Sequence, residues 1–169
     1  MTVKTAAELA AVDGLIVPGG ESTTVIRLLE RFGLDEPLIA AVRGGLPFWG
    51  TCMGMIVAAH DVVGLEQRTL DLIDIGVRRN AFGRQLASAE VPLEVPALGP
   101  EPFPAVFIRA PWVERAGPGV EVLARHEGHG VFVREGNVMG TSFHPELTAD
   151  PRVHEYFVRE LVAGKRIAA

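Results

Sequence analysis

Cys52 lies between two glycines, in Gly50-Thr51-Cys52-Met53-Gly54. Pro47-Phe48-Trp49 leads in and the apolar run Met55–Ala59 leads out, a pattern that reads as a short buried strand, a tight turn and a helix start. Gly-x-Cys-x-Gly is the cysteine counterpart of the nucleophile elbow, a strained strand-to-helix turn that exposes one reactive side chain. Glycines suit such a turn because they have no Cβ to clash and take positive φ freely. A thiol at a helix start also sits where the backbone dipole favours its anion. A lone cysteine packs equally well as a small hydrophobe, so partners elsewhere must decide between the two readings.

The candidate partners are in His144-Pro145-Glu146, which follows the apolar stretch Val138–Phe143. In extended chain, residues i and i+2 point to the same side, so His144 and Glu146 can reach one neighbouring site. A carboxylate beside an imidazole fixes its tautomer and stabilises the imidazolium. A free thiol, with a pKa of about 8.5, is only slightly ionised at neutral pH, and an imidazolium and a helix start can lower that value to ~3.5–7.5. The expected chemistry is nucleophilic attack by Cys52, with a lowered thiol pKa, assisted by His144 and Glu146. His-Pro-Glu can also simply open a loop, and its spacing leaves that reading open. His60 falls late in a helix predicted over Met53–Val63, where a cation suits the C-terminus. His126 and His129 flank Gly128 in a hairpin-like segment and are expected to be solvated, and His154 to be exposed. No cysteine or carboxylate cluster gives them a metal site.

The elements that must position these residues follow from the rest of the chain. Thr5 with Glu8 three residues on is a capping box for a helix over Thr5–Val12. Leu15-Ile16-Val17 is a strand. Pro18-Gly19-Gly20-Glu21-Ser22-Thr23-Thr24 then leads into a helical pattern over Val25–Arg31, a strand, glycine loop and helix in the arrangement that cradles ligands on backbone N–H groups. It lacks the Gly-Lys-Ser/Thr of a P-loop, and it can also be a plain turn with a helix cap. Gly33 stops that helix, and a second is predicted over Pro37–Val42. The alternation of helices and strands predicts a parallel α/β sheet with sites at the carboxyl ends of strands. Later strands are predicted over Ile73–Arg79, Ala89–Val95, Ala105–Ile108, Val120–Ala124, Gly130–Val133 and Asn137–Phe143, with a turn at Glu135-Gly136-Asn137. Asn80–Arg84 reads as a turn and Pro96–Pro104 as a loop. Asp150 and Pro151 open a final helix that buries Val153, Phe157 and Leu161.

Composition sets the class. The chain has 169 residues, 48% of them apolar, a net charge of −5 and one cysteine. These suit one domain over residues 1–169 with a real core, argue against a nucleic-acid surface and exclude an internal disulfide. No run approaches the ~20 apolar residues of a membrane helix, and Met1-Thr2-Val3-Lys4 lacks the apolar core of a signal peptide. A cytoplasmic location is expected.

With Ser142-Phe143-His144-Pro145-Glu146 near its end, the elbow resembles the triad glutamine amidotransferases. Pro18–Thr24, Arg79-Asn80-x-Phe82-Gly83-Arg84-Gln85 and Val106–Pro111 resemble the glutaminase subunits of pyridoxal 5′-phosphate synthases, in register from about Glu8 to about Leu161. The resemblance implies an α/β fold of the flavodoxin-like, class I glutamine amidotransferase kind, a mostly parallel sheet flanked by helices with additional antiparallel strands in the second half. It implies a hydrolase, and lyase is expected as a further class. Cys52 would attack the side-chain amide of L-glutamine, His144 would move protons and Glu146 would orient His144. Gly20, Glu21, Ser22, Arg79, Ile108 and Arg109 would bind glutamine, and the backbone N–H groups of Gly20 and Met53 would hold the oxyanion. Ammonia would pass to a synthase subunit as partner, whose docking completes the oxyanion hole. No cofactor or metal of its own is implied. Family members carry a strand, a helix and a second strand before the segment equivalent to Thr5–Val17, where only Met1–Lys4 stands here; most of one βαβ unit, ~30 residues, is expected to be lacking, with exposed strand edges as the consequence. The competing expectations are a non-catalytic or impaired interaction module, and a glutaminase or γ-glutamyl hydrolase serving another acceptor.

Overall fold

The computed structural model describes residues 1–80 and 88–164. The expected motif at 79–85, with the turn expected at 80–84, therefore lies outside the described residues beyond Asn80.

The expected capping box forms, but the first helix ends at Leu9, three residues short of the predicted Val12. Helix α1 (Ala6–Leu9) is capped by Thr5 and Glu8, whose side chains each bond the other's backbone N–H. Strand β1 (Leu15–Val17) leads through the glycine loop to α2 (Ser22–Arg31) and then α3 (Asp35–Arg43). Helix α2 begins at Ser22, three residues before the predicted start, because the Glu21 carboxylate accepts the Thr24 N–H as its cap (2.9 Å). Strand β2 (Phe48–Thr51) is buried along its whole length. Its side chains alternate between faces, so Phe48 and Trp49, both at 0% exposure, enter two different cores. One core gathers Ile26, Leu38, Met55, Val57 and Ile75 beneath the helices; the other gathers Phe103, Phe132, Met139, Phe143 and Phe157.

After β2 comes α4 (Met53–Ala58), then β3 (Ala59–Val62) and β4 (Ile73–Arg78). The helix predicted over Met53–Val63 therefore ends five residues early. The short apolar run suits helix and strand alike, and parallel pairing of β3 with β4 decides it. His60 consequently lies on a strand rather than at a helix C-terminus. Its ring bonds Asp71 at 2.7 Å, and that bond raises its pKa. Strands β5 (Ser88–Leu93) and β6 (Phe103–Ile108) form a separate antiparallel ribbon. Strand β7 (Trp112–Ala116) was not anticipated, and β8 (Glu121–His126), β9 (His129–Glu135) and β10 (Val138–Thr141) follow.

The main sheet runs β1-β2-β10-β9-β7-β4-β3, with β8 on β9. Its site-bearing part is parallel: β1 and β10 both run alongside β2. Antiparallel pairing begins at β9, through the turn at Gly136 (φ +56°). Strand β10 is tied down at its start by Asn137, whose side-chain amide donates to the carbonyls of Val42 (2.8 Å) in the last turn of α3 and of Leu46 (2.7 Å) just beyond that helix. The final helix α5 (Arg152–Tyr156) widens into a π-helical stretch over Phe157–Ala163, and it buries Val153, Phe157 and Leu161 as their spacing predicts. Asp150 accepts the Arg152 N–H at 3.0 Å. Among the described residues no helix is long and apolar enough to cross a membrane, and no cluster of three or more His, Cys, Asp or Glu could hold a metal ion.

Candidate functional site

Three parallel neighbours release their chains at the same edge of the sheet. Strand β1 delivers Pro18-Gly19-Gly20, β2 delivers Cys52 and β10 delivers Ser142-Phe143-His144. The ladder continues to the reactive residue itself, since the Cys52 N–H donates to the Thr141 carbonyl at 2.7 Å. This is the carboxyl end of the strands, where open α/β sheets place their ligands.

The elbow is tight, but its strain is not where the glycines stand. Cys52 itself takes φ 50°, ψ −105°, a conformation that costs a non-glycine residue roughly 1–3 kcal/mol. The glycines serve close approach instead. A Cβ on Gly50 would strike the Gly54 backbone, and one on Gly54 would strike the Val17 carbonyl.

Cys52 is 8% exposed. Its thiol makes a long contact to the Ile108 carbonyl oxygen, 3.9 Å. Burial pushes its pKa up, to about 11; the Glu146 charge adds to the rise, and the Met53 N–H and the Arg109 charge oppose it. The lowered pKa expected from the sequence is thus reversed, because desolvating a thiolate outweighs one N–H and the Arg109 charge. The resting thiol is protonated, and a base must take its proton when it reacts. The folded value lies above that of the free thiol. Burial therefore favours the folded state below about pH 9, and the advantage fades as pH rises through about 11. Alkylation of the isolated chain by iodoacetamide is expected to accelerate steadily through pH 9 without a plateau. A plateau below pH 8 would show a preformed thiolate.

His144 borders the same cavity as Cys52. Its Nδ1 lies 2.8 Å from the Glu146 carboxylate; an ionised carboxylate only accepts, so Nδ1 is the donor and Nε2 is the ring nitrogen left for other partners. The backbone holds the ring in place: the His144 N–H donates to the Val106 carbonyl at 2.8 Å, and the ring packs on Gly19, where a Cβ would come within 2.5 Å of Cε1. Glu146 stands behind the imidazole, its side chain 41% exposed.

A cavity of about 260 Å³ collects Gly20, Glu21, Ser22, Cys52, Met53, Arg79, Ile108, Arg109 and His144 on its wall. Every expected site residue except Glu146 borders it. Ile56, Asn80 and Pro111 line it too; Asn80 and Pro111 belong to the segments singled out in the sequence but have no role assigned there, and Ile56 is an apolar residue that nothing in the sequence marks. The two arginines differ. Arg79 is pinned, to the Glu21 carboxylate (3.0 Å) and the Gln67 side-chain carbonyl (2.9 Å). Arg109 is exposed, takes φ +45° and has no carboxylate partner among the described residues, which leaves its charge for an anionic ligand. Glu21 is not a base. Hydrogen bonds from Thr23 and then Thr24 hold its pKa down at about 2.

The remaining histidines stand apart from this wall. His126 and His129 are half-buried rather than solvated. His126 stacks on Phe107 with ring centroids 5.3 Å apart, and His129 stacks flat on Trp112 at 3.6 Å. His154, expected to be exposed, is half-buried edge-on to Trp49 at 4.9 Å.

Comparison with known proteins adds an independent line. Residues 1–163 match the SNO glutamine amidotransferase family. The pyridoxal 5′-phosphate synthase subunit PdxT of Kosmotoga olearia is 52% identical over 161 residues, 95% of this chain and 84% of that protein. The subunit of the same name from Frankia casuarinae is 58% identical over 160 residues, 94% of this chain and 80% of its own length. A crystal structure of a glutamine amidotransferase, 48% identical, superposes with a TM-score of 0.88 over 95% of this chain and 85% of that one. These descriptions are of amidotransferase and synthase subunits. They give no support to the expected lyase, and a thiol beside an imidazole–carboxylate pair is equipped for acyl transfer and hydrolysis; that expectation is withdrawn.

Proposed function

This chain belongs to the SNO glutamine amidotransferase family, and from that premise we propose that it hydrolyses L-glutamine to glutamate and ammonia as the glutaminase subunit of a pyridoxal 5′-phosphate synthase. Residues 1–169 act as one amidotransferase domain, working in the cytoplasm with a synthase subunit that takes the ammonia. The supporting observation is the convergence on one small cavity of a buried thiol, an oriented imidazole and an arginine with no carboxylate partner among the described residues.

Glutamine enters with its α-carboxylate toward Arg109 and its side-chain amide toward Cys52. The thiol attacks the amide carbon as His144 Nε2 takes its proton, which removes the need for a thiolate in the dry resting site. The oxyanion forms against the Met53 and Gly20 N–H groups; one such donor is typically worth ~2.7–4 kcal/mol. The imidazolium, stabilised by Glu146, gives its proton to the leaving ammonia. His144 then activates water to cleave the thioester and release glutamate. Arg79 holds the entrance through Glu21 and Gln67.

The test is ammonia release from glutamine, with and without added synthase subunit, alongside mass mapping of a glutamine-analogue electrophile. Partner-stimulated release and a label on Cys52 are expected. No release from folded protein in either condition, or a label elsewhere, would overturn the reading.

A further inference from the structure

Gln67 lies outside the residues assigned above, in the segment between β3 and β4, yet it bonds two of them. Its carbonyl oxygen accepts from Arg79 Nη1 at 2.9 Å, and its amide nitrogen donates to the Ser22 hydroxyl oxygen at 2.9 Å. The direction of this chain follows from chemistry alone. A guanidinium only donates, so the side-chain oxygen of Gln67 must face Arg79, and its NH2 must then face Ser22. Ser22 is thereby made an acceptor toward Gln67, with its own proton left over. Ser22 is 1% exposed and lines the cavity. Among the described residues Ser22 Oγ is bonded only as an acceptor, from Gln67, and an oxygen-bearing ligand in the cavity would take that proton.

We propose that Gln67 is a positioning residue that points the Ser22 hydroxyl proton into the glutamine cavity, making Ser22 a donor to an oxygen of the substrate. The proposal rests on the glutaminase reading. Arg79 is the fixed end of the relay, because Glu21 holds its other nitrogen at 3.0 Å.

Gln67→Glu separates this role from mere anchoring. A carboxylate still accepts from Arg79, so the entrance stays pinned, but its second oxygen also accepts. Ser22 must then turn its proton away from the cavity and present a lone pair to a substrate oxygen. In the complex with the synthase subunit, Gln67→Glu is expected to raise KM for glutamine about tenfold, the size of a lost hydrogen bond to a charged group, with kcat changed less than about twofold by the same reasoning. Ser22→Ala should do the same, and the double variant should be no worse than Ser22→Ala, since both remove one interaction. Gln67→Met frees Ser22 to rotate, and its KM should fall between parent and Gln67→Glu. Glutamine binding by calorimetry, in a Cys52→Ala background, should follow the same order. A Gln67→Glu KM within twofold of the parent overturns the proposal, as do effects of Gln67→Glu and Ser22→Ala that multiply. Failure of the glutaminase reading looks different: the unsubstituted chain itself releases no ammonia. A chain that also binds no glutamine overturns both.

Discussion

Cys52→Ala is expected to cut partner-stimulated ammonia release by about 10,000-fold or more, on the scale seen when a nucleophile is removed from a catalytic group that acts as a unit. No other group in the cavity can replace the thiol. The Ser22 hydroxyl oxygen accepts from Gln67, the Glu21 carboxylate is held ionised by hydrogen bonds from Thr23 and then Thr24, and neither is hydrogen-bonded to the imidazole among the described residues. His144→Ala should cost nearly as much, and the double variant should be little worse than either alone, because the thiol reacts only if its proton has somewhere to go. With the thiol pKa raised to about 11, little thiolate is available to bypass His144 near neutrality. Coupled measurement of glutamate formation decides the matter. Residual activity within tenfold of the parent, or independent losses that multiply, would refute the assignment.

The second large effect is structural. Gly54→Ala places a methyl against the Val17 backbone carbonyl, and both partners are fixed: Gly54 by the first turn of α4, Val17 by its pairing with Gly50 in β2. Overpacking of this kind typically costs 1–3 kcal/mol when side chains can yield. Here backbone must yield, so about 3 kcal/mol or more is expected. In a chain of this size that lowers Tm by roughly 6–12 °C. Activity should fall further than stability, because the elbow and the glycine loop are pushed apart and a shift of about 1 Å in reacting groups can cost 100-fold. Thermal melting together with kcat of the folded fraction tests this. A Tm within 2 °C of the parent would show that the contact is softer than its geometry implies.

The sequence was most legible where one residue type has one physical use. Thr5 and Glu8 form the capping box their spacing announces, and Gly136 turns β9 into β10. The elbow could be located because glycines crowd around a single cysteine. The reason for them was less legible: they permit close packing, and the positive φ falls on Cys52. Strand β3 was hidden because Ala59-His60-Asp61-Val62 suits either state and only pairing with a strand far along the chain decides it. Strand β7 was hidden behind Pro111 and the charges of Glu114 and Arg115, which pair with Arg78, Asp61 and Asp74 outside the core. The thiol pKa was misjudged because helix and imidazole effects can be read from neighbours in sequence, whereas desolvation depends on which distant residues close over the sulfur. Gln67 is a polar residue in a connecting segment, and nothing local distinguishes it from any other.

The place of β10 in the sheet also orders events in time. It lies between β2 and β9, so it welds the early part of the chain to the later part. Trp49 of β2 and its hydrogen-bond partner Thr141 stand 92 positions apart. At ~5–20 residues per second of synthesis, β2 waits on the order of ten seconds for the strand that completes its ladder. Throughout that interval the cysteine has been made and the histidine has not. A growing chain therefore holds an unassembled half-site with a bare sheet edge beside it, and the capacity for chemistry arrives in the same step that seals the edge.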